Sequence, residues 1–217
     1  MQKISLRHFI GILLFCASVI LGIWSYYPLE EQDQLTDIPG IGQQRLIWTP
    51  IIRSGDVKEV KLEFSSDDKM HMINSFINDR DDEIVPTKPI IFGKTHHVLI
   101  EARLEMPGLE ILQNEAISQP FNQGDNLNFI WQIVPEFRNY FSGEVWLYIH
   151  LLPLESGIDI RRPVLIRGVT IQSIDLLGLN IRIVKRISII GIGLAFILWS
   201  DMVGKIINKL FNRNQEI

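Results

Sequence analysis

The periodicity of hydrophobic positions changes twice along this chain. Residues 8–27, HFIGILLFCASVILGIWSYY, run without an acidic, lysine or arginine side chain. That length suffices for a helix to cross the roughly 30 Å hydrocarbon core of a bilayer. From Arg45 onward the period is two. Val60, Leu62 and Phe64 alternate with charged residues, and Val98, Ile100, Ala102, Leu104 and Met106 alternate with Glu101, Arg103 and Glu105. Leu127, Phe129, Trp131 and Ile133 share one face of a third segment. In a fourth, Val145, Leu147, Ile149 and Leu151 lie opposite Trp146, Tyr148 and His150. Such alternation, rich in β-branched and aromatic side chains, predicts half-buried strands.

Turn chemistry separates these runs at Ser54-Gly55-Asp56, Pro107-Gly108, Gly124-Asp125-Asn126 and Ser142-Gly143. Less regular segments at 46–52, 88–92, 109–121 and 163–176 raise the expected number of strands to about seven or eight. Met70 to Ile77 reads as one short helix. The expected fold is therefore mostly β: an antiparallel β-sandwich with immunoglobulin-like strand spacing, and Trp131 in its core. The chain has no cysteine pair of the immunoglobulin kind, because its one cysteine is Cys16.

A second apolar run follows at 187–199, ISIIGIGLAFILW. It extends through Asp201 to Gly204 as an 18-residue span. The sandwich is thus expected between two transmembrane helices. A short run of this kind also suits a buried or interfacial helix, but flanking residues that reach the headgroups, Asp201 among them, accommodate a short span. Beyond it, Ile206, Ile207, Leu210 and Phe211 gather on one helical face, with Lys205, Lys209 and Arg213 mostly opposite. This tail reads as the inner end of the second helix, or as a helix lying on an anionic leaflet.

Charge orients the arrangement. Lys3 and Arg7 precede the first apolar segment, while Glu30, Glu31, Asp33 and Asp37 follow it. Retention of positive residues in the cytoplasm puts the N-terminus inside and the middle of the chain outside. A cleaved signal peptide is disfavoured because the apolar run continues past any small-residue cleavage site. A lipoprotein signal at Cys16 is disfavoured by the bulk of Phe15. The expected organisation is a cytoplasmic tail at 1–7, a transmembrane helix at 8–27 and an irregular acidic connector at 28–44. A β domain at 45–180, a second helix at 187–204 and a cytoplasmic amphipathic tail at 205–217 follow. Leu176 to Val184 lead into Lys185 and Arg186 with no Gly/Ser linker, which predicts a domain held close to the membrane.

The whole chain is 217 residues, 47% apolar, with a net charge of −4. Residues 28–186 hold 23 of the 25 acidic residues and 16 of the 21 basic ones. Nucleic-acid binding needs a concentrated basic face, so that class is excluded. The absence of a disulfide and of an Asn-x-Ser/Thr sequon from the central region points to the inner membrane of a bacterial envelope.

Candidate chemistry is sparse. His71 (between Met70 and Met72), His96 and His97 supply imidazole and thioether donors that suit copper. Adjacent strand residues point to opposite faces, however, so His96 and His97 rarely share an ion, and surface histidines are the plainer reading. Asp79 to Glu83 offer oxygen ligands for calcium but lack EF-hand spacing, so a solvated loop is expected there. No nucleophile elbow, zinc helix or phosphate-cradling loop is present, and no cofactor is expected. Small residues at four-residue spacing, Ser18 and Gly22 in the first helix and Gly191 and Ala195 in the second, allow close helix approach. They pair the two helices with each other or dock them on another membrane protein. Trp146 and Tyr148 form either the covered face of a central strand or a partner-binding patch. The sequence thus predicts a non-enzymatic accessory or assembly subunit of a larger membrane complex. The alternative is a copper- or ligand-binding envelope module.

Overall fold

A computed structural model of the chain describes residues 6–38, 42–66, 96–113, 115–122, 124–155, 157 and 159–213, the last fourteen of these by backbone only. The expected helix at 70–77, the strand at 88–92, the acidic run at 79–83 and His71 lie outside the described residues. The chain forms two compact units: Leu29–Ile174, and Met1–Pro28 together with Asp175–Ile217.

The first unit is a two-sheet β-sandwich. Its strands are β1 (Gln32–Ile38), β2 (Gly42–Trp48), β3 (Ile51–Arg53), β4 (Lys58–Ser66), β5 (His96–Glu105), β6 (Glu110–Ile111), β7 (Ala116–Pro120), β8 (Asn126–Val134), β9 (Tyr140–Pro153) and β10 (Ile160–Ile174). One sheet has the order β1-β2-β4-β8-β6 and the other β3-β10-β9-β5-β7. Every pairing is antiparallel except that of β3 with β10. The mostly β, two-sheet architecture agrees with the periodicity of the sequence.

The predicted alternation appears directly as burial. Val60, Leu62, Phe64, Ile100, Ala102, Leu104, Phe129, Trp131, Ile133, Val145 and Leu147 are all essentially inaccessible to solvent. A fully buried Leu, Ile or Phe contributes about 2 kcal/mol relative to an exposed one, so these rows hold the sheets together. Trp131 occupies the core as expected, and its indole N–H donates to the Glu115 carbonyl at 3.0 Å. At one end of the sandwich, Ser54 links three segments. Its N–H donates to Ile174 O, its hydroxyl to Glu136 O, and the next N–H, that of Gly55, to Pro135 O. Gly143 in β9 sits where the chain leaves β5. A Cβ there would strike the Glu105 carbonyl oxygen, with Met106 Cα at 2.8 Å.

The structure departs from expectation in several places. Residues 28–44 are not an irregular connector, since they contain β1 and the start of β2. The two strands pair residue by residue from Gln32↔Trp48 to Ile38↔Gly42. The polar sequence QDQLTDI conceals β1, because an edge strand needs no apolar face to satisfy its backbone ladder. The segments at 46–52 and 109–121 each divide between the sheets: β2 and β6 lie in one, β3 and β7 in the other. The last strand begins earlier than expected, at Ile160, and its register shifts between Pro163 and Leu165.

The second unit is a helix pair, α1 (Leu6–Tyr26) and α2 (Ile181–Arg213). Asn180 caps α2, its side-chain oxygen accepting from Ile183 N at 3.0 Å. The helix therefore starts six residues before the apolar run and continues through Gly204 to Arg213 without interruption. Before the cap, the chain reverses through Leu177 (φ 55°) and Gly178 (φ 76°), closed by a bridge between Leu176 and Leu179. Glycine adopts that left-handed conformation freely, whereas Leu177, 92% exposed, adopts it without compensating burial.

Candidate functional site: a helix seam and an aromatic sheet face

The small residues singled out in the sequence meet in one seam. Gly11, Ser18 and Ser25 are the buried residues of α1. On α2, Ile181, Val184, Ser188, Gly191 and Ala195 are buried at alternating spacings of three and four. The helices run antiparallel. A Cβ on Gly11 would lie 3.1 Å from Trp199, one on Gly22 3.0 Å from Ser188 Oγ, and one on Gly191 against Ser18 Oγ. Ser188 Oγ donates to the Ser18 carbonyl at 2.8 Å. At one end of the seam Phe15 packs against Trp199 (5.5 Å) and edge-on to Phe196 (6.3 Å). At the other end Lys185 Nζ lies 5.0 Å from the Tyr26 ring centroid.

Ser18, Gly22, Gly191 and Ala195 therefore face the partner helix of the same chain. What the pair presents outward is large and apolar: Phe9, Leu13, Ile20 and Ile23 on α1, with Ile189, Ile190, Phe196 and Ile197 on α2, each more than half exposed. Ser188 completes the seam; it stands three residues before Gly191, so a four-residue spacing of small residues passes over it.

In the sandwich unit, β9 lies between β10 and β5. The row Trp146, Tyr148 and His150 on its outer face is half-buried. Trp146 and Tyr148 stack nearly parallel, at 5.9 Å and 9°. The Arg161 guanidinium lies 4.1 Å from the Tyr148 ring centroid and is fixed there by Glu101, which accepts from Nη2 at 2.6 Å and from Nε at 3.1 Å. The hydrogen bond to the Glu101 carboxylate holds the Arg161 pKa above its ordinary value. His150 Nε2 lies 2.6 Å from Asp159 Oδ1, and Arg103 pairs with Glu105 (3.1 Å) and Glu115 (3.6 Å). The face is thus an aromatic pair flanked by charges that neutralise one another. Its one unused group is Trp146 Nε1, a buried N–H with no acceptor among the described residues. Arg161 and Glu101 lie 60 positions apart, so only strand register reveals that they meet over Tyr148.

His96 and His97 head β5 opposite Pro153 and Leu152. They fall on alternate faces of the strand, with His97 exposed. Among the described residues, no group of three or more His, Cys, Asp or Glu side chains could hold a metal ion. A concavity of about 390 Å³ lies along the β1-β2-β4-β8 sheet, lined in part by Leu35, Arg45, Glu63, Ser65, Asn126 and Asn128. At its rim Asp33 accepts two hydrogen bonds from Arg45 Nε and one from Nη2. These hold the Asp33 pKa below its ordinary value.

No protein-family model and no curated protein matches the chain. Among solved structures, the human seminal-plasma complex of Zinc 2-glycoprotein and Prolactin inducible protein is matched at 10% identity. That match has a TM-score of 0.33 and covers 65% of this chain and 92% of that chain. An ASH/PapD-like domain of human CEP192 is matched at 11% identity and TM-score 0.33, covering 70% and 99%. E. coli alpha-2-macroglobulin is matched at 14% identity and TM-score 0.32, over 67% of this chain but 7% of its own length. These overlaps are too loose to carry a functional argument.

Proposed function

We propose that this protein is a two-pass protein of the bacterial inner membrane with both termini in the cytoplasm. Its sandwich lies outside the membrane and serves, without catalysing a reaction, as an accessory or assembly module for other membrane proteins. One observation carries the reading: from Gly11 to Ser25 and from Ser188 to Ala195 the helix pair buries glycine, serine and alanine, while Phe9, Leu13, Ile20, Ile23, Ile189 and Ile190 face outward. A helix pair in water does the reverse, whereas in lipid small residues bring helices together and bulky ones face the acyl chains. Among the described residues, α1 is the helix long and apolar enough by composition to cross a membrane. In α2 the cations Arg182, Lys185 and Arg186 stand in the first two turns, ahead of the uncharged run from Ile187 to Trp199. The protein-binding part of the proposal is supported by the half-exposed Trp146–Tyr148 pair, since tryptophan and tyrosine favour interfaces.

Reporter fusions at residue 100 and at the C-terminus test the topology. An extracytoplasmic signal at residue 100 and a cytoplasmic one at the C-terminus are expected, and an external C-terminus overturns the hairpin. Purification in mild detergent tests the accessory role. A stoichiometric membrane-protein partner is expected, and a partner-free monomer overturns it.

A further inference from the structure

Among the described residues the sandwich has four outer edges, and they are not equally protected. An exposed strand edge offers unpaired N–H and C=O groups, which natural proteins blunt by shortness, proline, bulges, charged side chains or coverage by another segment. Three edges carry such devices. The β6 edge is two residues long. The β7 edge is five residues long and ends in Pro120. The open side of β10 has Pro163, the register shift after it, the Trp48 indole N–H on the Thr170 carbonyl (3.3 Å) and β3 along its last residues.

Of these the β1 edge has charge alone, from Asp33 and Asp37. All seven residues pair with β2 in unbroken register, and among the described residues no strand pairs with its other side. The strand contains no proline, bulge or lysine. It is also held firmly, by the Asp33–Arg45 pair on one face and by Arg167 Nη2 donating to Thr36 Oγ1 at 3.2 Å on the other. Its own charges are all acidic: Glu30, Glu31, Asp33 and Asp37 lie on or just before it, and the cations set against it are Arg45 at Asp33 and Arg167 at Thr36.

We propose that β1 is a docking edge for an extended, lysine- or arginine-bearing segment of another protein, which adds to the sheet as a sixth strand. Backbone hydrogen bonds supply the affinity, and the carboxylates select a basic strand over an acidic one. The same carboxylates disfavour pairing with the β1 of a second copy, because two acidic edges would then lie side by side. This inference rests on the reading of the sandwich as a protein-binding module and names the chemistry of its partner.

The test uses the full chain in neutral detergent and two synthetic peptides of the same seven-residue length as β1. One alternates lysine with valine and threonine, and the other replaces each lysine with glutamate. Binding of the lysine peptide should slow amide hydrogen exchange across residues 32–38 by about tenfold or more at saturation. The glutamate peptide should have no such effect. The double variant Glu31→Lys, Asp37→Lys should bind the lysine peptide about tenfold or more weakly. Both substitutions are on exposed side chains, and an unchanged Tm confirms the fold. Failure of the lysine peptide to protect 32–38, protection on β7 or β10 instead, equal binding of the glutamate peptide, or homodimerisation through 32–38 overturns the proposal. A stable co-purifying partner alongside any of these outcomes leaves the accessory role standing and removes only the β1 edge.

Discussion

Ser188 donates its hydroxyl hydrogen to the backbone carbonyl of Ser18 across 2.8 Å, in a seam where both serines are only 3% exposed. With the pair embedded in lipid as proposed, such a hydrogen bond between helices contributes about 0.6 kcal/mol on average. The Ser18 carbonyl keeps its own helical partner, so Ser188→Ala should cost about that much and no more. Unfolding in a denaturing detergent, read against the unmodified protein, measures it.

Gly191 sets the closeness of that seam more strictly than the hydrogen bond does, because a Cβ there meets Ser18 Oγ, with Ser18 Cβ at 3.2 Å. Gly191→Ala should destabilise the helix pair by about 1–3 kcal/mol, as overpacking does. Adding Ser18→Gly removes both opposing atoms and should recover most of the loss. A double variant no better than Gly191→Ala alone would mean that the two residues do not oppose each other.

In the sandwich, Gly143 faces backbone where Gly191 faces a side chain. The Glu105 carbonyl and Met106 Cα cannot rotate away, so Gly143→Ala should cost about 3 kcal/mol, at the upper end of overpacking effects. The readout is the unfolding midpoint followed by tryptophan fluorescence. Gly168, on the neighbouring strand with open space around its missing side chain, provides the control and should accept alanine with little change.

At the turn into α2, Leu177 holds a left-handed backbone conformation in the open. Leu177→Gly removes that strain, and Leu177→Asn lowers it, by about 1 kcal/mol. Both should raise the Tm of the helix pair.

Acid should loosen the β1 edge. Hydrogen bonding from Arg45 lowers the Asp33 pKa in the folded protein below its ordinary 3.8. A depressed carboxylate pKa adds stability at neutral pH that is lost as pH falls through 3.8 toward the folded value. The pair is solvent-exposed, so the effect is small and sensitive to salt. Protection factors across 32–38, which take out the slowing of intrinsic amide exchange in acid, should decrease below that pH in the unmodified protein. In Asp33→Asn they should already be lower at neutral pH and change less on acidification.

The sequence exposed the central strands because each has one face in the core. The alternation around Phe64, Ile100, Trp131 and Leu147 is a direct record of that burial. It concealed β1, whose residues satisfy a ladder while facing water. It blurred β10, where the register shift between Pro163 and Leu165 reverses which residues face inward near the start of the strand. The four small residues of the helices were visible by spacing, but whether they met each other or a foreign helix was not, since spacing carries no partner. The pairing of Arg161 with Glu101 over Tyr148 was hidden for a related reason. It depends on β5 and β10 flanking the same strand, which is a property of topology and not of any local pattern.

The composition of α2 bears on how the protein is made. For a chain embedded as proposed, Ser188 and Gly191 find their packing and hydrogen-bonding partners only once α1 is beside them. An α2 emerging alone would present those groups to lipid, so its entry into the membrane should depend on α1 having entered first. Replacing α1 with an unrelated apolar helix that lacks Gly11, Ser18 and Gly22 should therefore lower the fraction of chains with a cytoplasmic C-terminus, even though α2 itself is unchanged.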